Sequence, residues 1–173
     1  MSGQDGILDS RLSEAESAAI LEDANHYTQK SGASIEALKI VQKHRSWVSD
    51  QSLRQVADLL EMSVDELDGV ATFYNLIYRR PVGRNVILCC DSVSCWMLGA
   101  DRIREKISER LGIGFGETTQ DREFTLLPIV CLGACDHAPV VLVGEDLYHD
   151  VDEARLDEML DRGRRLKIES SPG

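Results

Sequence analysis

Four of the chain's five cysteines stand in two tight pairs, Cys90-x4-Cys95 and Cys131-x3-Cys135, with 35 residues between the pairs. Each pair is short enough for one loop to aim both sulfurs at a single point. Two such loops brought together make a four-thiolate cage, the donor set of a [2Fe–2S] cluster or a structural zinc ion. The spacing itself leaves both open. Cys131-x3-Cys135 fits a zinc site and Cys90-x4-Cys95 sits at its wide limit, while neither pair is the C-x2-C knuckle nor part of the plant-type C-x4-C-x2-C ferredoxin pattern. The fifth cysteine, Cys89, precedes Cys90 on an apolar run. It therefore points to the opposite face of a strand, which makes it a buried structural thiol rather than a ligand.

The elements that must position these sulfurs lie after Pro81. Residues 86–89 form a continuous apolar run with β-branched members, the pattern of a buried strand. Residues 99–111 place Ile103, Ile107 and Leu111 on one helical face, and residues 112–123 read as a Gly/Thr/Asp loop. A second strand covers 125–130, with Pro128 placing it at a sheet edge or giving it an irregular start. Residues 140–143 and 147–149, joined by Gly144-Glu145-Asp146, read as a hairpin, and residues 151–166 as the closing helix. In the order β-α-β-β-β-α, both cysteine pairs fall just past strand C-termini, and the loops there converge. Small or polar Asp91, Ser92 and Ser94 would let the first loop turn tightly and offer N–H donors to sulfur, and Gly133 would let the second wrap closely. The order fits a thioredoxin-like α/β sandwich.

Residues 1–80 read as helices only. Ser13-x-x-Glu16 is a capping box for a helix reaching about Thr28. Ser34 is the expected N-cap of a second helix, Ser52-x-x-Gln55 caps a third, and Ser63-x-x-Glu66 caps a fourth running to about Tyr78. The fold class is therefore α+β, with a helical bundle over residues 1–80 followed by a cluster-binding α/β domain over 81–173. The tail Ser170-Ser171-Pro172-Gly173 is expected to be floppy.

Composition narrows the function classes. The 173 residues carry a formal charge of −11, with −5 up to Arg80 and −6 beyond it. No basic face is available for nucleic acid or an anionic membrane, and an acidic surface suits either bulk water or a basic protein partner. No run approaches the ~18 apolar residues of a membrane span, and Met-Ser-Gly-Gln-Asp-Gly lacks the features of a signal peptide. A cytoplasmic location is expected, where paired cysteines are ligands more often than disulfides. Gly112-x-Gly114-x-Gly116 follows a helix rather than a strand, so it reads as a helix cap and not a dinucleotide loop. His137 has a role beside the thiolates or at the surface. Trp96 covers the sulfurs, packs under the loop, or faces a partner.

Several segments occur in a recognisable order: Gly69-Val70-Ala71-Thr72-Phe73-Tyr74, Pro81-Val82-Gly83-Arg84, Cys90-Asp91-Ser92-Val93-Ser94-Cys95, Gly116-Glu117-Thr118-Thr119, and Cys131-Leu132-Gly133-Ala134-Cys135 followed by Ala138-Pro139. From about Ser34 to the closing helix the chain resembles the E-subunit family of bacterial NADH–quinone oxidoreductases, the thioredoxin-like [2Fe–2S] ferredoxins of respiratory complex I. The resemblance implies one [2Fe–2S] cluster on Cys90, Cys95, Cys131 and Cys135. It implies an electron-transfer subunit with no substrate site of its own. The expected partners are an NADH-binding subunit carrying flavin mononucleotide (FMN) and other iron–sulfur subunits of the peripheral arm, on the cytoplasmic side of the inner membrane. The same module occurs in soluble NAD-linked hydrogenases and formate dehydrogenases, and a zinc-stabilised interaction module is the distant alternative. One departure stands out: where the family usually has Asp-Gly before an aromatic residue, this chain has Asp121-Arg122-Glu123-Phe124, so the tight turn there loses its glycine.

Overall fold

The computed structural model describes residues 11–166; the N-terminal Met-Ser-Gly-Gln-Asp-Gly segment and the Ser170-Ser171-Pro172-Gly173 tail lie outside the described residues. The chain divides into two compact units, Met1–Pro81 and Val82–Gly173.

Among its described residues the first unit holds four α-helices: α1 (Glu14–Ala24), α2 (Ser34–Arg45), α3 (Asp50–Leu60) and α4 (Val64–Phe73). Both capping boxes form. The Glu16 N–H donates to Ser13 Oγ at 3.1 Å and the Ser13 N–H to Glu16 Oε2 at 2.7 Å, and Ser63 and Glu66 repeat the exchange at α4. The other two starts differ from the sequence expectation. Ser34 is the first residue of α2, which follows a 3-10 turn over Lys30–Ala33. Helix α3 is capped by Ser49, whose Oγ accepts the Ser52 N–H at 3.1 Å, so Ser52 lies one turn inside. Two ends come early. Helix α1 stops at Ala24, before the weak helix formers Asn25, His26, Tyr27 and Thr28. Helix α4 stops at Phe73, because Gln42 takes over the following chain: its side chain donates to Leu76 O at 2.8 Å and accepts the Tyr78 N–H at 2.7 Å. Leu38, Val41, Leu53, Val56, Leu60 and Leu67 meet in a closed apolar core.

A buried ion pair ties this bundle together. Glu16 is 3% exposed, and its carboxylate accepts from Arg45 Nε at 2.7 Å and Nη2 at 2.8 Å. The Arg45 hydrogen bond holds the Glu16 pKa at about 2, against an ordinary 4.5. A shift of that size corresponds to roughly 3 kcal/mol of stability.

The second unit is a four-stranded sheet in the order β2-β1-β3-β4, formed by β1 (Asn85–Cys90), β2 (Phe124–Ile129), β3 (Val141–Val143) and β4 (Asp146–Tyr148). Strand β1 pairs parallel with β2, in a register that sets Asn85 beside Phe124 and Cys90 beside Ile129. Its other edge pairs antiparallel with β3, which turns through Gly144 (φ +61°) into β4. Strand β2 lies at one edge of the sheet, where Pro128 is tolerated. Between β1 and β2 run a short helix α5 (Val93–Met97) and α6 (Ala100–Leu111), and α7 (Glu153–Leu166) closes the unit. Helix α6 packs on β1, α7 on β3, and the two helices touch each other. Ile87, Phe124, Leu126, Ile107, Leu156 and Met159 fill the space between helices and sheet. The mixed helical and sheet architecture agrees with the α+β reading.

Two loop details matter for register. Gly112 caps α6 in the left-handed region (φ +67°), its N–H on Ser108 O at 2.8 Å, so the glycine run is a helix end and connection. The turn before β2 forms without its expected glycine: Arg122 takes φ +56° and its N–H reaches Thr119 O at 2.8 Å, while the Asp121 carboxylate accepts the Glu123 N–H at 2.9 Å. The carboxylate and backbone bonds supply what the glycine would have made easy.

Two outcomes follow. Glu16→Gln should destabilise the full chain by about 3 kcal/mol at neutral pH, read by urea unfolding through the helical circular dichroism signal. Because the folded pKa lies below the unfolded one, the wild-type advantage is complete above the ordinary value of 4.5 and disappears as pH falls through about 2. The variant's stability should therefore fall less steeply across that window. Gly83→Ala should cost about 1–3 kcal/mol. A Cβ there would lie 2.9 Å from the Phe124 carbonyl carbon and 3.0 Å from Arg122 O, both backbone atoms, and would disturb the 2.6 Å bond from the Gly83 N–H to Thr125 Oγ1.

Candidate metal centre

Parallel pairing of β1 and β2 delivers both cysteine pairs to one end of the sheet. Cys90 is the last residue of β1, one position later than the sequence pattern placed the strand end, and Cys131 follows two residues after β2. The Asp91 N–H donates to Ile129 O at 2.8 Å and the Cys90 thiol lies 3.9 Å from Val130 O, so the two loops leave the sheet side by side. Cys95 falls inside the short helix α5.

All five cysteines are free thiols. Cys131 Sγ and Cys135 Sγ lie 3.7 Å apart. Two sulfurs about 2.3 Å from one tetrahedral metal are about 3.8 Å apart, so this pair already has the spacing of one edge of a metal site. The Cys90 side chain interacts with both Cys95 and Cys131, which links the four thiols into one group. Among the described residues no three His, Cys, Asp or Glu side chains gather about a single ion. A two-iron cluster asks for two thiolates on each metal rather than four on one. Four thiols in two linked pairs fit that group.

Their environments differ. Cys90 and Cys95 are buried, packed with Ala138 and Val140, whereas Cys131 and Cys135 are exposed. Burial pushes the Cys95 thiol up to about 11, opposed by a hydrogen bond from the Val140 N–H. The Gly133 N–H, 3.3 Å from Cys131 Sγ, lowers the Cys131 pKa. Cys135 is raised, first by its hydrogen bond with Cys131, and the Ser94 side chain counters this. Deprotonation in the second loop therefore begins at Cys131.

The N–H donors only partly match the sequence reading. Gly133 wraps its sulfur as expected, with φ +82°. The donor to Cys95 is Val140, not the 91–94 loop. Val140, the first residue of the hairpin strand expected over 140–143, sits just before β3, where its carbonyl accepts the Cys90 N–H at 3.3 Å. Cys89 faces the α6–α7 side with Ile87 and Phe124, away from the other four, and burial pushes its thiol up to about 12. Trp96 is 59% exposed and so does not pack under the loop; with Val93, Met97, Leu98 and Val130 it makes an exposed apolar rim near the thiols. His137 pairs through Nδ1 with Asp150 Oδ2 at 3.1 Å and stacks on His149, which places it in a surface cluster.

Known proteins resemble this chain. Residues 20–164 match the family described as thioredoxin-like [2Fe–2S] ferredoxin. The chain is 46% identical over 140 residues to the NADH–quinone oxidoreductase E-subunit of Pseudomonas aeruginosa, covering 81% of this chain and 84% of that protein. Against its counterpart of the same name in Escherichia coli K12 it is 46% identical over 151 residues, covering 87% and 91%. Among solved structures, a chain of an air-oxidised NAD+-reducing [NiFe]-hydrogenase has a similar fold, with a TM-score of 0.63 at 23% identity over 76% of this chain and 22% of that one. A family match that spans both the helical unit and the cysteine loops, with near relatives covering four fifths of the chain or more, decides the matter: this chain belongs to the thioredoxin-like [2Fe–2S] ferredoxins.

Proposed function

We propose that the chain binds one [2Fe–2S] cluster through Cys90, Cys95, Cys131 and Cys135 and works as an electron-transfer subunit of an NADH–quinone oxidoreductase. The observation that carries the reading is the convergence of four free thiols at one sheet end, two of them 3.7 Å apart, in a chain 46% identical to E-subunit relatives. In this reading residues 1–80 are the helical appendage and 81–173 the cluster domain.

The cluster, when bound, supplies one-electron reduction and reoxidation. The chain's own groups set the conditions for that chemistry. The Val140 and Gly133 N–H groups aim at Cys95 and Cys131 and favour negative charge on those sulfurs. Burial of Cys90 and Cys95 keeps water from one half of the cage, while the exposed Cys131 and Cys135 leave the other half open to a redox partner. The apolar rim of Trp96, Met97 and Leu98 suits contact with that partner. The partner proposed is the NADH-oxidising subunit that carries FMN, alongside other iron–sulfur subunits of the peripheral arm on the cytoplasmic face of the inner membrane. No described helix is long and apolar enough to cross a membrane. The hydrogenase likeness supports a second reading, the equivalent component of a soluble NAD-linked enzyme. Genes for membrane subunits beside this one would favour the first reading, and genes for a hydrogenase or formate dehydrogenase the second.

The test is the iron and acid-labile sulfide content of the purified full chain, with its visible absorbance. Wild type should hold two irons and two sulfides per chain. Ser in place of any one of the four ligand cysteines should remove more than half of the iron or alter the spectrum. Cys89→Ser should keep the cluster and cost about 1 kcal/mol of stability. A colourless wild type with stoichiometric zinc would overturn the reading.

A further inference from the structure

Helix α4 carries an outer face that its own unit does not explain. Leu67 and Ala71 point into the bundle core, and Ile77 is buried just beyond the helix end. The opposite side runs through Gly69, Thr72 and Phe73, spaced three and four residues apart, with Leu76 in the turn that follows. Gly69 is exposed in the helix interior, where glycine weakens a helix relative to alanine. A Cβ at this position would meet nothing within 4 Å. Neither the backbone conformation nor the packing among the described residues calls for a glycine there.

One turn further on, Phe73 is 79% exposed, with Leu76 at 48% and Tyr74 at 42%. Phe73 and Tyr74 sit edge to face, centroids 5.4 Å apart. This apolar group is held in place. Gln42 bonds Leu76 O and the Tyr78 N–H. Arg79 fastens the next residues to Asp68 at 2.9 Å and Asp50 at 2.7 Å. Exposed aromatic side chains on a fixed platform lose little freedom on binding, which is the character of an interface anchor.

Charge selects the occupant. The same helix begins with exposed Asp65 and Glu66, and neither has an ion pair among the described residues. A second copy of a chain with net charge −11 would bring acid against acid. We propose that this face of α4 docks the helical unit onto a neighbouring subunit that presents an apolar hollow rimmed by Lys or Arg. Phe73 fills the hollow, and the bare backbone at Gly69 lets the partner approach the helix closely. The inference rests on the reading of the chain as part of a multi-subunit oxidoreductase.

The test uses the full chain, tagged, in cells that supply the rest of the oxidoreductase. Wild type, Phe73→Ala and Gly69→Gln are compared. The purified variants should keep the wild-type cluster spectrum, and Gly69→Gln should melt at the same temperature or higher, because a helix-favouring side chain enters open space. The fraction of each chain that co-elutes with NADH:ferricyanide reductase activity should nevertheless fall at least tenfold for both variants. Added salt should weaken wild-type retention. Both variants co-eluting as well as wild type would overturn the docking face alone. A monomer–dimer equilibrium of the isolated chain that both variants abolish would overturn it too, by assigning the face to a second copy. Wild type failing to co-elute would overturn the oxidoreductase reading and the docking with it.

Discussion

The parallel pairing of β1 with β2 is the constraint on which the rest depends. Two strands that run the same way end at the same edge of the sheet. The in-register match of Cys90 with Ile129 therefore brings two loops 35 residues apart in sequence to one place. A parallel pair needs a crossover between its strands, and α5 and α6 provide it while carrying Cys95 back toward the end of β1. Gly83 permits the close approach of the chain entering β1 to the start of β2. The antiparallel β3 then adds the Val140 N–H from the other side of β1. Each neighbour of β1 thus contributes to the sulfur cage, and a slip of one residue would exchange Cys89 for Cys90 at the site.

The cage is electrostatically uneven, which matters for a chain that is strongly acidic overall. Thiolates brought together repel one another, and burial adds to the cost, as the raised pKa of Cys95 records. Backbone N–H groups at Val140 and Gly133 offset part of this without adding a charged side chain. Within the exposed pair Cys131 is lowered and Cys135 raised, while the buried pair is sealed by Ala138 and Val140. The helical unit solves a different problem. Its Glu16–Arg45 pair is well satisfied and buried, and it joins the first turn of α1 to the last turn of α2.

Much of this was legible because local signals were strong. Ser13-x-x-Glu16 and Ser63-x-x-Glu66 marked two helix starts, and period-two logic separated Cys89 from Cys90. Pro128 marked an edge strand or an irregular start, and β2 lies at an edge. The errors came where another group, near or far along the chain, takes the role that the local pattern assigned. Ser52 looked like a cap, but Ser49 three residues earlier takes that role. The end of α4 depends on Gln42, which lies 34 residues from Leu76. The Glu16–Arg45 contact spans 29 residues and leaves no local trace. At the site, all four cysteines were visible in the sequence, whereas the Val140 donor depends on the pairing of β3 with β1. The Arg122 turn forms because the Asp121 carboxylate compensates for a missing glycine, a substitution that no spacing rule reveals.

The central claim is that four thiolates at one sheet end hold a two-iron cluster, and it is tested most directly by electron paramagnetic resonance on the full chain purified without oxygen. The oxidised protein should be silent, and dithionite should produce a rhombic signal integrating to one spin per chain. A protein that stays silent after dithionite and carries one zinc per chain would contradict the account.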